Sequence, residues 1–256
     1  MEVFSVNNTV FRTLLFLSVC LLSFSSFFSS LSFASGGDVY VAVSPGIARC
    51  VENIYASFVD AGGGKLVFVK ETTGPLAQKM DAGAPFAVLV AADPGWPKWL
   101  HEKGKLKDMQ VCARGHLVLW AEKEELCSEE KLGSLRIASP DPETTSHGAL
   151  AAAYLKSHGI WEKKMESQAL VITKNALHAV MSVQAGSTDA ALIPESLAIE
   201  VGGFRTRLPV SPHPTVGGLS TSFPSEVAEA FWKYLLSSNA APLWKKWGFE
   251  PAEAVR

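Results

Sequence analysis

The chain has 256 residues, 48% hydrophobic and 19% charged, and its 23 basic against 25 acidic residues give a formal net charge of -2. That balance describes a globular chain and excludes a disordered or collagen-like one. It leaves no basic excess for a run of nucleic-acid phosphates, so nucleic acid is not an expected partner and a charged ligand must be met by a local site.

The run from Leu14 to Phe33 carries no charge, follows the lone Arg12 and ends in Ser32-Phe33-Ala34. Small residues at its third-last and last positions mark a secretory signal peptide, residues 1–34, cleaved after Ala34, which directs the mature protein to the periplasm. The rival reading is a retained anchor, because the run approaches the ~20 residues that span a bilayer. Val19 before Cys20 argues against lipidation. Cys50, Cys112 and Cys127 then remain, an odd number with no CxxC pair, which excludes a disulfide-dense framework or a zinc ribbon. Cys112 and Cys127 flank an apolar run and either pair with each other or stay, like Cys50, as buried thiols.

Beyond the leader, short apolar runs alternate with helical patterns, the signature of an α/β fold with mostly parallel sheets. Strands are expected at Val39 to Val43, Leu66 to Val69, Ala87 to Val90, His116 to Ala121, Leu135 to Ala138, Ala169 to Ile172 and Ala190 to Ile193. Between them lie helices marked by Ile47, Val51, Ile54 and Phe58, by Leu76 and Met80, by Trp96, Trp99 and Leu100, and over Ala149 to Ser157, Ala176 to Gln184 and Glu195 to Glu200. Arg207 to Pro214 reads as an irregular crossing segment. Two amphipathic helices, around Phe231 and Trp244, close the chain.

Four turns share one design, a strand followed by a polar residue and a helix start: Ser44-Pro45, Thr73-Gly74-Pro75, Thr145-Ser146-His147-Gly148 and Thr173-Lys174-Asn175. Each reads first as a helix N-cap, since a short oxygen-bearing side chain accepts from the unpaired N–H groups of the first turn. Taken together they gain a second meaning. In an open α/β sheet such turns gather at the carboxyl edge, where helix N-termini present N–H donors and positive dipole ends to an anion.

The order and wording of these segments resemble the periplasmic molybdate-binding proteins of ABC transporters, a family with the two-lobed solute-binding fold. The resemblance runs from Val39 to Pro251. It is carried by Ala42-Val43-Ser44, by Thr72-Thr73-Gly74-Pro75-Leu76-Ala77 with Gly83-Ala84-Pro85, by Ala91-Ala92-Asp93 with Trp96, by Asp141-Pro142-Glu143, by Asp189-Ala190-Ala191-Leu192-Ile193 and by Trp247-Gly248-Phe249. It implies a tetrahedral oxyanion held between two lobes by hydroxyls and backbone N–H groups, without metal, cofactor or catalysis. Ser44 and Thr73 match the family's two hydroxyl ligands, and its backbone donors fall near His147 and Ala176.

The family's tyrosine is replaced here by Pro194, which has no side-chain donor. His147 stands where the family has a small residue, Ala87 where an Asp is usual, and Gly217-Gly218 where Tyr-Pro is usual. His147 is expected either to add a donor to the anion, with affinity rising as pH falls from 8 to 6, or to face solvent and do nothing.

A serine-hydrolase reading of Ala42-Val43-Ser44-Pro45-Gly46 fails because Pro45 has no N–H for an oxyanion hole and Ser44 follows the first strand. No histidines share metal-ligand spacing, and Asp93 and Asp141 read as turn caps before prolines. The expectation is a binding protein rather than an enzyme. Lobe one covers 35–111 plus 214–256 and lobe two 112–213, with hinges near Val111 and His213. The ligand is molybdate or tungstate, with sulfate, chromate or a phosphate-like anion as alternatives. The macromolecular partner is a membrane ABC permease and the protein is a monomer; a ligand-free sensor or adaptor is the remaining reading.

Overall fold

The computed structural model describes residues 37–252. The signal-peptide reading of residues 1–34 lies outside them. The chain builds two mixed sheets flanked by helices, a two-lobed α/β fold.

In the first lobe the elements are β1 (Tyr40–Val43), α1 (Pro45–Asp60), β2 (Val67–Lys70), α2 (Thr73–Asp81), β3 (Phe86–Ala91), α3 (Gly95–Glu102) and β4 (Leu106–Gly115). The second lobe follows with β5 (Leu117–Ala121), β6 (Ile137–Pro140), α4 (Ser146–Ser157), α5 (Trp161–Glu166), β7 (Leu170–Thr173), α6 (Ala176–Gln184), β8 (Ala190–Pro194), α7 (Glu195–Val201) and β9 (Phe204–Arg207). The chain then returns to the first sheet as β10 (His213–Ser220), α8 (Glu226–Leu235), α9 (Ala241–Lys246) and β11 (Glu250–Pro251).

The sheet orders are β11-β4-β10-β3-β1-β2 and β7-β6-β8-β5-β9. Each contains the same nucleus: a central strand flanked by its successor and the strand after that, all parallel, as β2-β1-β3 and β7-β6-β8. The other strands join antiparallel. Of these, β10, β11 and β5 run against their nucleus, while β4 and β9, each antiparallel to such a strand, run with it.

Period-2 alternation divides each sheet between two cores. Val41, Val43, Val88 and Val90 face α1, α8 and α9 through Ile54, Phe231 and Trp244, whereas Ala42, Leu89 and Ala91 face α2 and α3 through Leu76, Met80 and Leu100. In the second lobe Leu117, Leu119, Ile137 and Leu192 pack on α4, and Val118, Trp120, Ala138 and Ile193 pack on α6 and α7. Both sheets are therefore covered on both faces, and their parallel strands read as continuous apolar runs.

The structure departs from the expected element list in five places. β4 was not foreseen, because LKDMQVCARG interleaves charges and is kinked at Asp108, whose φ is 51°. The sequence reading treated residues to Pro214 as irregular, yet β10 begins at His213 and lies between β3 and β4 in mid-sheet. Its Gly217 is required by packing: a Cβ there would lie 2.4 Å from Leu89 O and 2.9 Å from the Trp232 ring. The short α5, β9 and β11 were also missed. Cys112 to Gly115, expected to open the second lobe, continue β4 in the first sheet, and β5 of the second sheet begins at Leu117. The three cysteines in the described residues are free thiols, so Cys112 and Cys127 are not paired.

Candidate ligand-binding cleft

The carboxyl ends of both parallel nuclei point into one cleft between the lobes, with a volume of about 650 Å³. Ser44, Thr73, His147, Ala176 and Pro194 all line it. They arrive from separate elements, after β1, at the starts of α2, α4 and α6, and at the end of β8.

The N-cap reading of the four turns holds in one lobe and fails in the other. Thr145 Oγ1 accepts from Gly148 N at 3.1 Å and donates to Asp141 O at 2.7 Å, while Asn175 Oδ1 accepts from His178 N at 3.0 Å. These two side chains are spent on their helices, and what α4 and α6 offer the cleft is the backbone of their first turns, whose N–H groups have no intrahelical acceptor. Gly148 is needed for this closeness: a Cβ would lie 2.4 Å from Asp141 O and 2.5 Å from Pro140 O.

Ser44 occupies the N-cap position of α1 but makes no capping bond, and Thr73 lies inside α2, whose N-cap is Thr72. Instead Ser44 Oγ and Thr73 Oγ1 are 2.7 Å apart, buried, and Ser44 Oγ accepts from Ala92 N at 3.2 Å. Neither partner of Ser44 is a histidine, so no general base addresses this serine.

His147 is half-buried in the cleft wall. Its Nε2 is buried without a hydrogen-bond partner, and its ring meets that of His213 with centroids 5.6 Å apart at 63°. Burial pushes the His147 pKa down to about 3, and the neighbouring His213 adds to the effect. His213 is itself lowered by burial, opposed by the Asp93 carboxylate and a bond to the Ala92 backbone. Burial thus keeps His147 neutral at pH 6 to 8, so an affinity rise over that range requires the bound dianion itself to draw a proton onto the ring.

The lining also contains residues the sequence reading did not single out. Arg49 Nε reaches Glu200 Oε1 across the cleft at 3.1 Å, and Lys70 Nζ pairs with Glu52 Oε1 at 2.5 Å. Both cations are thus committed to carboxylates. Asp93 Oδ1 accepts from Gly95 N and Trp96 N at 3.0 and 3.3 Å, as expected of a turn cap, and Trp96 lies against Gly74 so closely that a Cβ there would sit 3.0 Å from the indole. Arg49 and Glu200 belong to polar helix faces, which no spacing in the sequence distinguishes from solvated surface. Among the described residues no cluster of three or more His, Cys, Asp or Glu is placed to hold a metal ion, and no helix is long and apolar enough to cross a membrane.

The chain is 24% identical over 227 residues to the molybdate-binding protein ModA of Rhodobacter capsulatus, covering 84% of this chain and 89% of that protein. It is 23% identical over 236 residues to ModA of Escherichia coli K12, covering 84% and 90%. Its fold is similar to the periplasmic molybdate-binding protein of Azotobacter vinelandii, with a TM-score of 0.76 and 20% identity over 84% of this chain and all of that one. The model of the bacterial extracellular solute-binding protein family matches residues 39–250, and the chain belongs to that family.

Proposed function

We propose that this solute-binding protein captures a tetrahedral oxyanion, molybdate or tungstate first among them, between its lobes and delivers it to a membrane ABC permease. The observation that carries the reading is the Ser44–Thr73 hydroxyl pair, free of capping duty and lining the same cleft as the first turns of α4 and α6. Hydroxyls and helix N-termini suit a dianion, because each offers hydrogen bonds or partial positive charge without a counter-charge to displace. The charged side chains of the lining, Arg49, Lys70, Asp93 and Glu200, balance. Relatives named for molybdate binding support the choice of ligand.

In this reading 1–34 is a cleaved leader, the mature protein is a periplasmic monomer, and it holds its ligand by neutral donors without metal, cofactor or catalysis. Lobe one comprises 35–115 with 213–256, and lobe two lies between the crossings at His116 and after Arg207. Hinge closure at those crossings encloses the anion. Calorimetric titration of the purified protein with molybdate, tungstate, sulfate, chromate and phosphate tests it. Saturable one-to-one binding of molybdate or tungstate is expected. Heats indistinguishable from dilution for all five anions would leave the ligand-free adaptor reading in its place.

A further inference from the structure

The cleft is far larger than a bare oxyanion needs. At about 30 Å³ per water, its 650 Å³ equals the share of roughly twenty waters, and it falls within the ~300–1,000 Å³ of sites that enclose organic ligands. A tetrahedral oxyanion has only five heavy atoms. The cleft is partly open to solvent, yet the lobes already touch across it through three hydrogen bonds. Ser146 Oγ donates to Ala92 O at 3.2 Å, Ser196 Oγ to Gly46 O at 2.7 Å, and Arg49 Nε to Glu200 Oε1 at 3.1 Å.

The lining is chemically divided. Hydroxyls and helix starts gather around Ser44, Thr73 and His147, whereas the end of β8 and α7 contribute Pro194, Leu197 and Val201 beside Glu200, whose carboxylate is paired with Arg49. Leu197 and Val201 lie four residues apart on one face of α7 and Pro194 immediately precedes that helix; none of the three has a side-chain donor or acceptor. Leu177, 53% exposed, adds to the apolar lining from α6. A desolvated inorganic dianion gains no hydrogen bond from such a wall, but an organic group attached to the dianion loses its contact with water there.

We propose that the cleft takes a monosubstituted tetrahedral oxyanion, an organic phosphonate or phosphate monoester. Its anionic head meets Ser44, Thr73 and the start of α4, and its organic substituent lies against Pro194, Leu197 and Val201. This rests on the oxyanion reading and narrows it, since the head group is shared and only the substituent is new.

The test titrates the purified protein with inorganic phosphate, methylphosphonate, phenylphosphonate and molybdate. Affinity should rise at least tenfold from phosphate to phenylphosphonate, with methylphosphonate between. In Leu197→Asn the ratio of phenylphosphonate to phosphate affinity should fall at least tenfold, and Val201→Ser should lower it in the same direction; because both side chains also pack against the core, an unchanged affinity for phosphate in each variant shows that the fold is kept. Phenylphosphonate binding no more tightly than phosphate, or failing to displace bound molybdate, would overturn the substituent site while leaving the oxyanion reading intact. An absence of binding by all four anions would overturn both.

Discussion

Ser44 Oγ and Thr73 Oγ1 share a 2.7 Å hydrogen bond across 29 residues of sequence, and neither hydroxyl caps the helix it introduces. One hydroxyl donates to the other and Ala92 N–H donates to Ser44 Oγ, so an anion that accepts from both hydroxyls takes over the proton of their shared bond. Ser44→Ala or Thr73→Ala should weaken anion binding by about 1.5 to 3 kcal/mol, the range for hydrogen bonds to charged groups. Because the two groups touch, the double variant should lose less than the sum of the singles, a coupling of at least about 0.5 kcal/mol in a calorimetric double-mutant cycle. Additive losses would mean that the hydroxyls act separately.

His147 sets an acid limit on stability. Its folded pKa is lowered to about 3, whereas in the unfolded chain it titrates near 6.5, so the unfolded state takes up the proton first. The stability present above pH 6.5 should therefore decline as pH falls from there toward 3, by at most about 1.4 kcal/mol per pH unit for this one proton. Urea unfolding of wild type and His147→Gln at pH 7.5 and 5 separates its share. The variant should lose less stability between the two pH values; equal losses would place the acid sensitivity elsewhere.

Gly148 tolerates no side chain. Gly148→Ala drives a Cβ into two backbone carbonyl oxygens and Thr145 Oγ1, at 2.4 to 2.5 Å, so the first turn of α4 must shift. Thermal or denaturant unfolding should show a loss of about 1 to 3 kcal/mol, as for overpacked cores. Anion affinity should fall with it, because the displaced turn carries donors that face the cleft.

The thiols give an independent check on packing. Burial raises Cys50 and Cys112 far above the ordinary thiol range, and raises Cys127 with help from Glu124 against a bond to the Ala121 backbone. Ellman's reagent at pH 8 should leave Cys50 and Cys112 unmodified in the native protein and react with both after denaturation. Rapid native labelling of Cys112 would contradict its place inside the first sheet.

Much of the nucleus of each lobe was legible because its strands are apolar runs between polar turns. The strand at Val39 to Val43 appears as Tyr40–Val43, and the helix Ala176–Gln184 appears at those bounds. β4 and β10 were not legible for opposite reasons, the first because one face carries charges, the second because Gly217 and Gly218 replace the side chains that mark a strand. The cleft lining followed from the turns, since each parallel strand delivers its following residue to the same edge. What no local pattern could show was which polar side chains remain available. Thr145 and Asn175 are spent within their own turns, but the fate of Ser44 depends on Thr73, and that of His147 on His213, 66 residues away and on the other sheet.

The central claim, that an oxyanion is held between the lobes at the Ser44–Thr73 pair, is tested most directly by the melting temperature with and without molybdate in wild type and in the Ser44→Ala, Thr73→Ala double variant. A ligand at 1,000 times its dissociation constant stabilises the native state by about 4 kcal/mol, roughly 10 °C for a protein of this size. At that same concentration the wild type should show this shift and the double variant only a small fraction of it. Equal shifts in the two proteins would remove the anion from the hydroxyl pair, and no shift in the wild type would contradict the account altogether.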